Sequence, residues 1–428
     1  MRNPKFLIIL IHLSILVTIV AFTNTDESVC IHIKGRELYI IKPTRAEWFY
    51  NLNYSKLSYN ITRISPLRYE KTRLITNHYF PQSFVHPNYF LKSTVYIAEF
   101  DDAYLSPQPV FGNSRIIVFE EELPASLTPR KTVGFYDVGV YYTQIIGQWG
   151  HLIHDFFCAM MHVPEEVYNK GFYICPNPSG YKMISDYLKY FKMDKNIHVL
   201  DIDTQTEQVF VKKLYVLSTL HFAHGYTVGG IHKLRKLISN NFNLAGIQPY
   251  KYSIINRDRS RKIHNIRELL AALSKECPPK TGKWQIEYWN FRDFGQTVKI
   301  WSTIKVVCHP NGSGFYYSLF MQKNTGYLSM MSKQIDYPNF HLAAISEIFM
   351  VGVVHSNMEH YFTNPIPCNI SKMVAGCKVL FELMEKGICS NPKFEISINI
   401  EQAKNTPDFE KNELYNKLKK EDCTIVSI

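Results

Sequence analysis

The stretch from Tyr252 to Cys308 opens with Tyr252-Ser-Ile-Ile-Asn256 and runs through Ile266-Arg-Glu-Leu-Leu-Ala-Ala-Leu-Ser-Lys275 and Trp284-Gln-Ile-Glu-Tyr-Trp289 to Ile304-Lys-Val-Val-Cys308. Short apolar, β-branched runs alternate here with a helical run and with a second helix through Phe294, Val298 and Trp301. Strands alternating with helices at this spacing imply right-handed crossovers and a largely parallel, doubly wound sheet. Downstream the pattern continues as a glycine-bearing turn at Asn311-Gly-Ser-Gly314, a helix over 315–321, a strand over 326–331, a helix near His341 to Phe349 and a strand at Val351-Gly-Val-Val354. Upstream, 115–119 and 133–141 read as strands. Trp149 to His162 reads as a helix, because Leu152, Phe156 and Ala159 recur near the helical period before Pro164. A strand at 171–175 follows, then a helix with Met183, Ile184, Tyr187, Leu188 and Phe191 on one side, strands at 197–200 and 214–217, and a helix around Ile231, Leu234 and Ile238. The halves divide near Pro249.

The chain has 428 residues, 46% of them hydrophobic and 20% charged, which suffices for two cores and excludes global disorder, collagen and coiled coil. Its formal charge of +11 is scattered in single residues and pairs. It therefore favours anionic ligands or membrane surfaces only weakly, and nothing points to nucleic acid. Phe6 to Phe22 is an uncharged apolar run with Arg2 and Lys5 before it and Asp26 and Glu27 after it. Its length suits either a signal anchor or a cleaved signal peptide. The absence of a clean small-residue cleavage site favours the anchor, and the flanking charges leave the N-terminus cytosolic and send the rest into the lumen. The expected organisation is a tail and anchor helix over 1–29, a stem and first α/β domain over 30–245, a second α/β domain over 246–403 and a charged tail over 404–428. Asn53, Asn60 and Asn369 head acceptor sequons for N-linked glycans. Nine cysteines show no metal-type spacing. Cys368, Cys377 and Cys389 cluster as candidates for a local staple, and an odd count leaves one thiol over.

In an open α/β sheet ligands sit beyond the carboxyl ends of the strands, so the loops after 256 and 308 are the first places to search for chemistry. The first carries Arg257, Arg259 and Arg261, which suit a diphosphate gripped by bidentate hydrogen bonds as well as they suit a solvated basic loop. Asn311-Gly312-Ser313-Gly314 would let a ligand approach the backbone ahead of a helix N-terminus, or is simply a turn. On the helix from Trp149, His151, His154, Asp155 and Cys158 share one face. That face is open to three readings: a proton-transfer pair, a metal site or a satisfied buried polar face. Asp201-Ile-Asp203 has the spacing of a nucleotide-bound divalent ion, a pattern that also arises by chance.

Taken in order, Gly150-His-Leu-Ile-His-Asp155-Phe, Arg257-x-x-x-Arg261-x-Ile263-x-Asn265 and Asn311-Gly-Ser-Gly-Phe-Tyr-Tyr-Ser-Leu-Phe320 resemble the motifs of glycosyltransferase family sixty-one over roughly residues 130–335. That family includes plant xylosyltransferases and animal O-linked N-acetylglucosaminyltransferases. The resemblance implies a GT-B fold of two Rossmann-like doubly wound domains facing a cleft. It also implies inverting, metal-independent transfer without a cofactor, from a nucleotide-sugar co-substrate (a uridine-diphosphate sugar foremost) to a glycan or glycoprotein acceptor. Behind an anchor at residues 6–22 this would be a single-pass type II protein of the Golgi or endoplasmic reticulum membrane. Carried across, Arg257 and Arg261 hold the diphosphate, Asn265 positions their loop, and Asn311, Gly312, Ser313 and Gly314 border the donor. Asp155, with His154, takes the acceptor proton.

Two positions depart from the family. Asn311 stands where its motif has histidine, with His309 two residues earlier, and Ser329 aligns with its usual acidic residue. These departures make a catalytically inactive, membrane-anchored glycan- or partner-binding protein the alternative expectation. A metal-dependent lumenal enzyme built on Asp201 and Asp203 or on the histidine helix is the third. The sequon at Asn311 is expected to stay unmodified, since a glycan there would fill the donor pocket.

Overall fold

The computed structural model describes residues 29–33, 36–41, 59–64, 73–75, 95–106, 110–112, 115–119, 131–142, 148–204, 206–219, 226–257, 260–287, 293–332, 337–355, 364–386, 395–397 and 424–427. The anchor run at 6–22 and Asn53 lie outside them. Among the described residues no helix is long and apolar enough to cross a membrane.

The second half forms a five-stranded, all-parallel sheet. Its spatial order is Trp284–Glu287, Lys251–Ile255, Ile304–Pro310, Gly326–Met331, Phe349–Val354. In chain order this is 2-1-3-4-5, so the direction of winding reverses between the 251–255 and 304–310 strands. That reversal makes the crevice in which open α/β sheets take their ligands. Every residue of Gly326–Met331 is buried, as expected of a central parallel strand covered on both faces. The helix Ile266–Glu276 buries Leu269 and Leu273 at helical spacing, with Glu268 in its first turn and Lys275 in its last, the polarity its dipole favours.

The first half is a larger mixed sheet of eleven strands. Four of them, Ile197–Val199, Phe172–Ile174, Lys131–Tyr142 and Glu207–Thr219, run parallel in that order. Beyond them the sheet turns antiparallel: Val95–Leu105 pairs with Glu207–Thr219, followed by Val110–Gly112, Arg115–Phe119, Arg36–Ile41 and Val29–Ile33. This corrects two expectations. The first domain is doubly wound only in its parallel block, and the segment read as an irregular stem supplies strands at 29–33, 36–41 and 59–64. Thr424–Ser427, within the expected tail, pairs with Val29–Ile33.

One apolar core runs from Val140, Phe157 and Phe172 of the first half to Trp301, Val307 and Tyr327 of the second. Trp301 is fully buried; truncating such a side chain costs about 3–5 kcal/mol. A helix over Ile370–Lys386, absent from the expectations, covers the second sheet with Met373, Cys377 and Leu380. Of the three cysteines read as a local staple, Cys368 and Cys377 are free and buried, with Cys377 inside this helix, and Cys389 lies outside the described residues.

Candidate active site

The basic loop leaves the 251–255 strand at the switch point and is closed by one side chain. Asn256 accepts from the backbone N–H groups of Arg257 (2.9 Å) and Ile263 (2.8 Å), and its amide donates to Ile263 O at 2.8 Å. At the far end Asn265 donates to Cys368 O (3.0 Å) and accepts from Cys368 N–H (2.9 Å), while Ile263 bridges to Ile366. The loop is thus held at both ends. Within it Arg261 adopts a left-handed backbone at φ 58°, a costly state for a residue other than glycine that persists only where its surroundings enforce it.

Arg257 is half-buried and spends its donors on backbone oxygens, Nε on Ser260 O at 2.9 Å and Nη1 on Asn311 O at 3.4 Å. No carboxylate among the described residues forms an ion pair with it. Burial, then the neighbouring Arg261 cation, pushes its guanidinium down to about 10. Two adjacent, partly desolvated guanidiniums make a site that an anion stabilises.

The glycine turn faces them across the switch point. Gly312 has φ 128°, and a Cβ there would stand 2.5 Å from Arg257 Nη1 and 2.7 Å from Arg261 Nη1, so only glycine lets both arginines close on this backbone. His309 fills the space beside Gly314, where a Cβ would lie 2.5 Å from its Cε1. Burial, then Arg257, pushes His309 down to about 3, so it is a neutral imidazole. Asn311 is buried and accepts from the Asn339 amide. Ser329 lies within the 326–331 strand, in register with His309, and is fully buried. The 3-10 helix Ser313–Phe320 carries the turn forward. Its end is held by Arg235 of the helix Thr227–Phe242, which donates to Ser318 O (3.3 Å), Leu319 O (3.1 Å) and Met321 O (2.9 Å). Burial pushes Arg235 down to about 10.

The helix from Trp149 to Met160 is α-wound at its ends and π-wound over Leu152–Phe157, and wide turns of this kind gather at functional sites. There His151, His154 and Asp155 converge. His151 Nδ1 donates to Asp155 Oδ2 at 2.7 Å, and His154 Nδ1 meets Oδ1 at 2.8 Å. The Asp155 side chain is 3% exposed and that of His154 2%, whereas that of His151 is 29% exposed. Burial holds His154 below the ordinary histidine range, against the opposing pull of Asp155. The three groups are of metal-ligating types, and their ligand atoms lie within 4.8 Å of one another. As they stand, each imidazole spends Nδ1 on the carboxylate, the arrangement by which a carboxylate orients a base.

The histidine helix and the glycine turn are in contact. A Cβ on Gly150 would stand 3.0 Å from the Tyr316 ring and 3.6 Å from Ser313 Oγ. Trp149 stacks on Tyr317 at 4.7 Å between centroids, and His154 lies 5.1 Å from Tyr316. His154, Asp155, Arg257, Arg261 and 311–314 are thus joined through these contacts, while Asn265 stands at the far end of the basic loop, bonded to Cys368. Asp201 and Asp203 do not join it. Both are exposed beyond the edge strand Ile197–Val199, and Asp203 is taken up in a local turn, accepting from Thr206 Oγ1 at 2.7 Å. Asn369 is exposed at the start of the 370–386 helix and accepts from Lys372 N–H; Asn60 lies in the strand Tyr59–Ile64. No local signal marks Asn256 as the loop's clasp, or Arg235, an arginine on an ordinary helix.

A basic loop and a glycine turn meet at the switch point of a parallel sheet, where open α/β folds take their ligands, with an acid-braced histidine pair against them. Residues 149–328 match the family described as Glycosyltransferase 61. No curated protein matches the sequence.

Proposed function

We propose that this glycosyltransferase moves a sugar, with inversion and without a metal, from a nucleotide-sugar donor to a hydroxyl of a glycan or glycoprotein. A uridine-diphosphate sugar is the first donor to test. The convergence of Arg257 and Arg261 on Gly312 at the switch point carries the reading. A donor diphosphate laid there meets two guanidiniums, and its negative charge grows as the bond to the anomeric carbon breaks, so the arginines bind the transition state more tightly than the ground state. Asn265 and Asn256 hold the loop in that geometry.

An inverting displacement also needs a base. The sequence pointed to Asp155 with His154, but both are buried, and both Asp155 oxygens face imidazole nitrogens. We therefore assign the proton transfer to Nε2 of the more exposed His151, with Asp155 as the residue that fixes its tautomer. The acceptor hydroxyl gives its proton to Nε2, its oxygen attacks the anomeric carbon, and the nucleoside diphosphate departs towards the arginines. The anchor at 6–22 would hold this chemistry in the lumen of the endoplasmic reticulum or Golgi.

The buried, amide-tied Asn311 and the buried Ser329 favour a second reading, an inactive relative that binds glycans or partners, because neither residue supplies the charge its family counterpart would. A thermal-shift and turnover screen of the purified chain against uridine- and guanosine-diphosphate sugars, with and without chelator, separates the two. Chelator-resistant nucleotide release supports transfer; folded protein that neither binds nor turns over any donor supports the second reading.

A further inference from the structure

Cys277, Cys308, Cys368 and Cys377 lie in one apolar core under the second sheet. Cys277 ends the helix Ile266–Glu276, and Cys377 stands in the second turn of Ile370–Lys386. The two helices begin at one point, where Asn265 exchanges two hydrogen bonds with the Cys368 backbone. They meet again further along. Cys277 Sγ donates to Val374 O at 3.6 Å, one turn before Cys377, and Glu276 pairs with Lys378 at 3.3 Å. Both thiols are buried, and their mutual side-chain interaction holds Cys277 below its ordinary range, while burial pushes Cys377 well above it. Cys277, at a helix end and 3% exposed against 0% for Cys377, is the sulfur an oxidant reaches first, and Cys377 the one that resolves.

We propose that Cys277 and Cys377 are a disulfide pair, closed by a disulfide-bearing oxidant such as oxidised glutathione or a thiol-disulfide oxidoreductase. The Cys277 thiolate attacks one sulfur of the oxidant, forming a mixed disulfide and expelling one thiol. Cys377 then gives up its proton and attacks the Cys277 sulfur, forming the protein S–S bond and expelling the second thiol. Two electrons pass to the oxidant, and the two protons end on the released thiols. The bond ties the C-terminal end of the first helix to the second turn of the other, and the starts of both helices hold the basic loop through Asn265. It is thereby a covalent brace behind the site proposed for the donor.

The test uses the purified full chain, reduced and then incubated with oxidised glutathione, with remaining thiols alkylated in denaturant before tryptic digestion. Cleavage at Lys275, Lys280, Lys372 and Lys378 isolates residues 276–280 and 373–378, each with a single cysteine. The expected result is a reductant-sensitive species joining these two peptides, with a rise in Tm of about 5 °C over the reduced protein. Cys277→Ser should leave Cys377 alkylated. Recovery of both peptides alkylated from oxidised, folded wild-type protein would overturn the proposal, as would linkage of Cys277 to Cys308 or Cys368. The readout is covalent mass, so it is independent of whether the site transfers sugar.

Discussion

The two sides of the candidate site solve opposite electrostatic problems. On the histidine helix a buried carboxylate is satisfied in place, held by His151 at 2.7 Å and His154 at 2.8 Å. At the switch point Arg257 and Arg261 stand together against a glycine turn, and burial and mutual repulsion depress Arg257. A satisfied cluster orients a group for proton transfer; a repulsive pair of cations favours an anion beside it. Under the proposed function the first side takes an acceptor hydroxyl and the second a donor diphosphate.

Substitutions should separate the sides kinetically. Asp155→Asn places an amide where an acceptor is needed and misorients His151, so kcat should fall by about 10⁴-fold while nucleoside diphosphate affinity holds. Steady-state kinetics beside calorimetry check this, and equal losses in both quantities would break the comparison. Arg261→Ala should lower kcat/KM by on the order of 10²–10³-fold and also weaken nucleotide binding. Circular dichroism should show the fold intact. Gly312→Ala forces a Cβ into both guanidiniums and should reproduce the arginine phenotype, with binding lost before stability.

The smallest effect is on acid stability. His162, whose Nε2 bonds Tyr226 O, is pushed down to about 4 by burial, and His309 to about 3. Both are neutral in the folded protein, while in the unfolded chain they take up protons below about 6.5. Stability is therefore complete above that pH and falls as pH drops towards 4, by about 1.4 kcal/mol per pH unit for each histidine. Denaturant titrations between pH 7 and 5 check the slope, and His162→Gln should reduce it by one histidine's share.

The second sheet was legible because its strands are buried on both faces and read as short apolar runs punctuated by helices. Its order then put the arginine loop and Asn311-Gly-Ser-Gly314 at one crevice. The first sheet was less so: its antiparallel flank draws on strands such as Tyr59–Ile64, in polar, Tyr- and Asn-rich sequence where pairing partners distant along the chain decide the outcome. The shared face of His151, His154 and Asp155 was visible as spacing. The π-wound turn was not, nor the burial of Asp155 between two imidazoles, on which the proposal of His151 as the base rests. The helix Ile370–Lys386 carried a periodic signal in Met373, Cys377 and Leu380, masked by cysteine spacing that suggested a loop. Nothing local marks Asn256 or Arg235, whose partners are backbone groups of other segments.

The most direct test of the central claim is calorimetric titration of uridine, uridine monophosphate and uridine diphosphate into the full chain in chelator, repeated with Arg257→Ala and Arg261→Ala. The account predicts metal-free binding of the diphosphate, much weaker binding of the monophosphate, none of the nucleoside, and loss of the diphosphate signal in both variants. Diphosphate binding that requires a divalent cation, or that survives removal of either arginine unchanged, would contradict it.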